Sequence, residues 1–134
     1  MAGKNFNKED GSNAFQIWPI LVLAAQNKKT MTYGELSGPT GIFWQNLRTP
    51  LAVIKHYCDE NLDNCHLTVL VVKKGTDEPG DGLDTVDNFD EAKKRVFEVA
   101  RAPKEGGKNW EIMLENPGLE ILQNFAIQLD ERNK

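Results

Sequence analysis

The chain has 134 residues, of which 40% are hydrophobic and 27% charged, with a formal net charge of −4. That suits one domain with a modest core and argues against a disordered or fibrous protein. The acidic total argues against a binder that relies on phosphate contacts alone, and two cysteines are too few for a disulfide scaffold.

Charge is unevenly spread. Residues 1–74 hold eight Lys/Arg against six Asp/Glu, whereas residues 75–134 hold eight against fourteen. The first half is therefore mildly basic and the second strongly acidic. Residues 1–13 are polar and without periodicity, and are expected to form a flexible tail ahead of a single domain over 14–134. The longest apolar run, Pro19 to Ala25, is too short to span a bilayer, and no basic-apolar-small signal pattern opens the chain. A cytoplasmic protein of bacterial or phage style, with no membrane contact, is the expectation.

Pro19 suits the first turn of a helix running to about Asn27, with Ile20, Leu21, Leu23 and Ala24 inward and Lys28-Lys29 at its carbonyl end. Met31 to Tyr33 reads as a short β segment. Gly34 to Leu36 begins a small helix that stops at Gly38-Pro39. Thr49-Pro50 is a helix start in which Thr49 can cap the free amides, and Leu47, Leu51, Ile54 and Cys58 recur at core-facing spacing. A helix starting earlier, near Phe43, is the competing reading. Leu67 to Lys73 is rich in β-favouring residues and reads as a buried strand. Gly75 to Gly82 reads as a turn or wing tip. Asp87 or Asn88 can cap a helix through about Ala100, with Val96, Phe97 and Ala100 inward. After the Gly106-Gly107 break, Trp110 to Leu114 can lie beside the core. Pro117 opens a last helix with Leu119, Leu122, Phe125, Ala126 and Leu129 on one face.

A short β segment, Tyr33-Gly34, two helices and a strand entered through Cys65-His66 make the order of a helix-turn-helix with a wing. In these residues the chain resembles the DNA-binding half of the alkylguanine-DNA alkyltransferases and their alkyltransferase-like relatives, over roughly residues 18 to 100. The resemblance implies an α+β fold: a winged helix-turn-helix of alkyltransferase-like type with an added C-terminal helix. Those enzymes carry a tyrosine-glycine turn, an arginine on the recognition helix and a Pro-Cys-His-Arg stretch. Tyr33-Gly34, Arg48 and Cys65-His66 stand in the corresponding places. Asn64 and Leu67 replace the proline and the final arginine of the reactive motif. The chain is also similar to small bacterial proteins on this scaffold that lack the reactive cysteine. The residues that match are Tyr33 to Leu36, Tyr57-Cys58, Leu70 to Val72 and Pro79-Gly80.

The resemblance makes Cys65 and His66 the candidates for catalysis, as an alkyl acceptor and its partner. A nucleophilic thiolate needs a lowered pKa, and adjacent strand residues point to opposite faces. The degenerate motif turns the expectation toward a non-enzymatic protein with an inert thiol at Cys65. His56, Cys58, Cys65 and His66 invite a zinc reading, but His56 and Cys58 on a helix splay about 200° apart. No Cys-x-x-Cys knuckle is present, and neither a metal nor a cofactor is expected.

The leading functional expectation is binding of duplex DNA. Gln45, Asn46 and Arg48 would probe bases and Lys55, Lys73 and Lys74 would meet phosphates, with Tyr33 and Trp44 able to stack. Lys28, Lys29 and His56 are further basic candidates. The alternative of a different class is a protein-binding module of immunity or anti-defence type. In that reading an acidic face with Asp81, Asp84 and Asp87 captures a nucleic-acid enzyme, its rate helped by steering. A calcium loop over that acidic run lacks the alternating ligands and the closing glutamate.

Overall fold

A computed structural model describes residues 6–62, 65–75, 88–101, 111–113 and 117–132. These residues are mostly helical, with one small parallel sheet, an α+β arrangement. Helix α1 spans Lys8–Gln26, strand β1 Met31–Thr32 and helix α2 Tyr33–Thr40. A 3-10 turn at Trp44–Asn46 leads into helix α3, Arg48–Asn61. A second 3-10 turn, Leu67–Leu70, precedes strand β2, Val71–Val72. Helices α4, Phe89–Arg101, and α5, Leu119–Arg132, follow.

The central element is α1, which contacts α2, α3, α4, α5 and the second 3-10 turn. Its start lies inside the expected tail. Asn7 caps it: the Asn7 side chain accepts the Asp10 amide at 3.1 Å, and the Asp10 carboxylate accepts the Asn7 amide at 3.0 Å. This reciprocal pair satisfies two free donors at the helix end. Phe6 is buried ahead of it and its amide donates to Asp130 on α5. Residues 6–13 are thus tied down, because local capping and an apolar anchor outweigh their polar composition.

Pro19 sits in the middle of α1, not at its first turn. It has no amide to offer the carbonyl one turn back. The helix persists because Ala14, Ile17, Trp18, Leu21 and Ala25 are buried around it, and tertiary packing of that kind dominates helix stability. Trp18 also donates its indole N–H to the Met113 carbonyl at 2.7 Å. Leu23, expected inward, is 59% exposed. The helix ends where Lys28 turns left-handed at φ 54° and the Lys29 amide donates back to Ala24.

Thr32 and Glu35 form a second capping box, so α2 begins at Tyr33. It runs through Gly38-Pro39, where the sequence expectation stopped it, and ends at Gly41, whose φ of 71° suits glycine. In α3, Leu47, Leu51, Ile54 and Cys58 all face the core as expected. Thr49 does not cap α3: Leu47 holds the capping position without a side-chain bond, and the Thr49 hydroxyl donates to Asp10 at 2.7 Å.

The strand expected over 67–73 is shorter. Leu67–Leu70 is a 3-10 turn and only Val71–Val72 pairs, with Met31 opposite Val71 and Thr32 opposite Val72. Leu67 to Val72 are all buried, so the run needs no alternation to hide its apolar side chains. In α4, Asn88 accepts the Glu91 amide as the expected cap, and Val96 and Ala100 are buried. In α5, Leu122, Phe125, Ala126 and Leu129 face inward, while Leu119 is largely exposed. The expected turn at 75–82, apart from Gly75, and the Gly106-Gly107 break lie outside the described residues.

Candidate functional site

The segment from Phe43 to Asn46 is held out from the body by its ends. Ile42 before it and Leu47 after it are buried, and the Ser37 hydroxyl donates to the Ile42 carbonyl. Side chains between two such anchors in a tight turn point to solvent. Phe43 is 55% and Trp44 54% exposed, with ring centroids 6.0 Å apart and planes tilted by 40°. Large exposed aromatics side by side are unusual unless they meet something. Arg48 follows as the first residue of α3 and is exposed.

The sheet brings a second group to the same place. Because β1 and β2 run parallel with Thr32 opposite Val72, the next residues, Tyr33 and Lys73, leave from the same end. Tyr33, Trp44, Gln45, Arg48 and Lys73 line one recess of about 260 Å³. Gln45, Arg48 and Lys73, three of the six residues expected to meet bases or phosphates, thus lie with Tyr33 and Trp44, the two expected to stack. No carboxylate lines it among the described residues. The adjoining N-terminus of α3 carries no side-chain cap, so its positive dipole end favours a nearby anion.

A larger groove of about 700 Å³ lies on the other side of the same ridge. Its lining includes Asn7, Asp10, Asn13 and Gln16 from α1, and Phe43, Gln45, Asn46, Arg48 and Thr49 opposite. Gln45 and Arg48 belong to both recesses. Asp10 forms part of its floor, fixed by the Asn7 amide and the Thr49 hydroxyl. Phe43, Asn13 and Gln16 escaped the sequence reading. Asn7-x-x-Asp10, a helix-start pattern, was the signal that extends α1 back to them.

The remaining nominated cations stand elsewhere. Lys55 Nζ lies 3.4 Å from Asp59 Oδ2, one turn along α3, and the Asp59 carboxylate also meets His66 Nδ1 at 3.0 Å. Lys74 is exposed but lies outside both linings. Asp81, Asp84 and Asp87 fall outside the described residues.

Cys65 is fully buried, and burial pushes its thiol up to about 12, against a smaller lowering by Arg95. Burial likewise raises Cys58. Desolvation penalises a thiolate, so both remain thiols at neutral pH. The His66 ring pairs with Asp59 at the surface. Cys65 therefore lacks the exposure and the lowered pKa that a nucleophile needs. Among the described residues no group of three or more His, Cys, Asp or Glu side chains is placed to hold a metal ion. No described helix is long and apolar enough to cross a membrane. No protein-family model, curated protein or solved structure matches the chain.

Proposed function

We propose that the chain is a non-enzymatic DNA-binding protein on a winged helix-turn-helix scaffold of alkyltransferase-like type. One observation carries the reading: Tyr33, Gln45, Arg48 and Lys73, separated by up to forty residues in sequence, line a single recess beside the exposed Trp44. Arg48, Lys73 and the uncapped start of α3 attract phosphate, and the exposed Trp44 offers a stacking face. The order β1, α2, α3, β2, with the tyrosine-glycine pair at the first turn of α2, is consistent with that scaffold. The buried, protonated Cys65 favours binding over alkyl transfer.

The test is fluorescence anisotropy of a labelled duplex across a salt series. Two or three phosphate contacts give a log–log salt slope of about −2 to −3. Lys73→Ala should flatten that slope by about 1. Arg48→Ala should weaken binding about tenfold and flatten the slope by about 1 through loss of a bidentate phosphate contact. Absence of binding by the wild-type chain at low salt would refute the proposal.

A further inference from the structure

The two recesses differ in chemistry although they share Gln45 and Arg48. Asn7 at the cap and Asp10, Asn13 and Gln16 within α1 recur every third residue, so in a helix of 3.6 residues per turn each is set back about 60° from the one before and the row winds round the helix. All four line the larger groove, facing Gln45, Asn46 and Arg48. The first half of α1 thus gives the cleft two carboxamides, Asn13 and Gln16, and two carboxylates, Glu9 and Asp10. Among the described residues, Ile42 alone brings an aliphatic hydrocarbon side chain to the lining.

Such a wall selects its occupant. A carboxamide places one donor and one acceptor side by side, which is the pattern on the edge of a nucleobase. The exposed Glu9 carboxylate, also in the lining, can accept from an amino N–H group, and with Asp10 it repels phosphate. Cations stand at the ridge and beyond it, at Arg48 and Lys73. Phe43 and Trp44 add exposed ring faces on which bases stack. A cleft of about 700 Å³ is in the range that holds a ligand the size of one or two nucleotides, and is far too small for a stacked duplex.

From this arrangement we infer that the larger groove is a subsite for unpaired nucleotides. The strand's backbone follows Arg48 and Lys73, its bases turn toward α1, and Asn13 and Gln16 read their edges. The inference rests on the DNA-binding reading above and makes α1 a second wall of that surface. It gives the protein a preference for DNA with a single-stranded gap over intact duplex of equal length.

Anisotropy with three labelled probes tests it: an intact duplex, the same duplex with a three-nucleotide gap, and the single strand. Asn13→Ala with Gln16→Ala replaces half-buried and exposed helix residues by a strong helix former, and unchanged thermal unfolding confirms the fold. Loss of one good base contact costs about tenfold, so the double variant should lose tenfold or more on the gapped and single-stranded probes and stay near wild type on the duplex. If Arg48→Ala weakens every probe while the α1 variant matches wild type on all three, the inference is overturned and the DNA-binding reading stands. If the α1 variant loses equally on all three probes, the preference for unpaired nucleotides is overturned. If the wild-type chain binds no probe, both readings fall.

Discussion

Gly11 is the point at which the fold is least forgiving. It lies in the first turns of α1, where the helix crosses α5. A Cβ built there would stand 2.4 Å from Gln123 Cα, 2.5 Å from the Leu122 carbonyl oxygen and 2.6 Å from the Gln123 nitrogen. Comfortable carbon contacts are about 3.5–4.0 Å, so Gly11→Ala forces α1 and α5 apart by about 1 Å. All three obstructing atoms are backbone, and no side-chain rotation relieves them. The shift also loosens Leu122, Phe125 and Ala126 against Ala14, Ile17 and Trp18, and a gap of 0.5–1 Å forfeits about a quarter to a half of each contact's attraction. Overpacking of this kind costs about 1–3 kcal/mol, and rigid backbone places it at the upper end. The better helix propensity of alanine returns about 1 kcal/mol. The net loss is about 2 kcal/mol, a fall of roughly 8 °C in Tm for a chain of this size. Urea and thermal unfolding would measure it, with Gly34→Ala as the control, since its added Cβ meets only Thr32 Oγ1 at 3.9 Å. A Gly11→Ala protein as stable as wild type, with an unchanged urea dependence, would refute the close backbone crossing.

Other outcomes follow from single contacts. Asp10→Ala removes both the capping partner of Asn7 and the acceptor of the Thr49 hydroxyl; equilibrium unfolding should show a loss of about 1–3 kcal/mol. Trp18→Phe leaves the Met113 carbonyl without its indole donor, a loss of about 1–3 kcal/mol by the same measurement. The thiols give a pH prediction. Burial raises Cys65 from 9.0 to about 12 and raises Cys58 as well, so the folded state holds those protons more tightly than the unfolded chain. The resulting stability is fully present below pH 9 and is lost as pH climbs from 9 toward 12, at a slope of about 1.4 kcal/mol per pH unit for each thiol. Unfolding midpoints of wild type and Cys65→Ala across that range should converge as pH rises. At pH 8 an aromatic disulfide reagent should label neither thiol in the native protein and both in denaturant, and rapid native labelling of Cys65 would revive alkyl transfer.

Local chemistry was legible where one residue decides the outcome, as with Asn88 capping α4 or Leu47, Leu51, Ile54 and Cys58 setting the inner face of α3. It misled where composition and packing disagreed. Residues 8–13 are polar enough to pass for a tail, yet Asn7-x-x-Asp10 closes a capping box and Gly11 admits α5 to the backbone. Pro19 is a helix breaker by its covalent structure, and only the surrounding apolar contacts carry α1 through it. The first four residues of the β-favouring run at 67–72 curl into a 3-10 turn, and burial on every side removes the need for strand alternation. The candidate site shows the same division. Arg48 and Gln45 are neighbours on the ridge and could be named together from sequence. Tyr33 and Lys73 join them through a two-residue parallel pairing, whose register places both at one end of the sheet. A sheet of two residues has almost no sequence signal of its own, and here it decides which cation meets which aromatic. For that reason a substitution that breaks the pairing, such as Val72→Pro, should reduce DNA binding as strongly as Lys73→Ala although Val72 is buried and lines neither recess. Proline has no amide to offer the pairing and fixes φ near −65°, away from extended strand values. Equal DNA affinity in a folded Val72→Pro protein would mean that the recess does not depend on the sheet, and the assignment of Lys73 to it would fail.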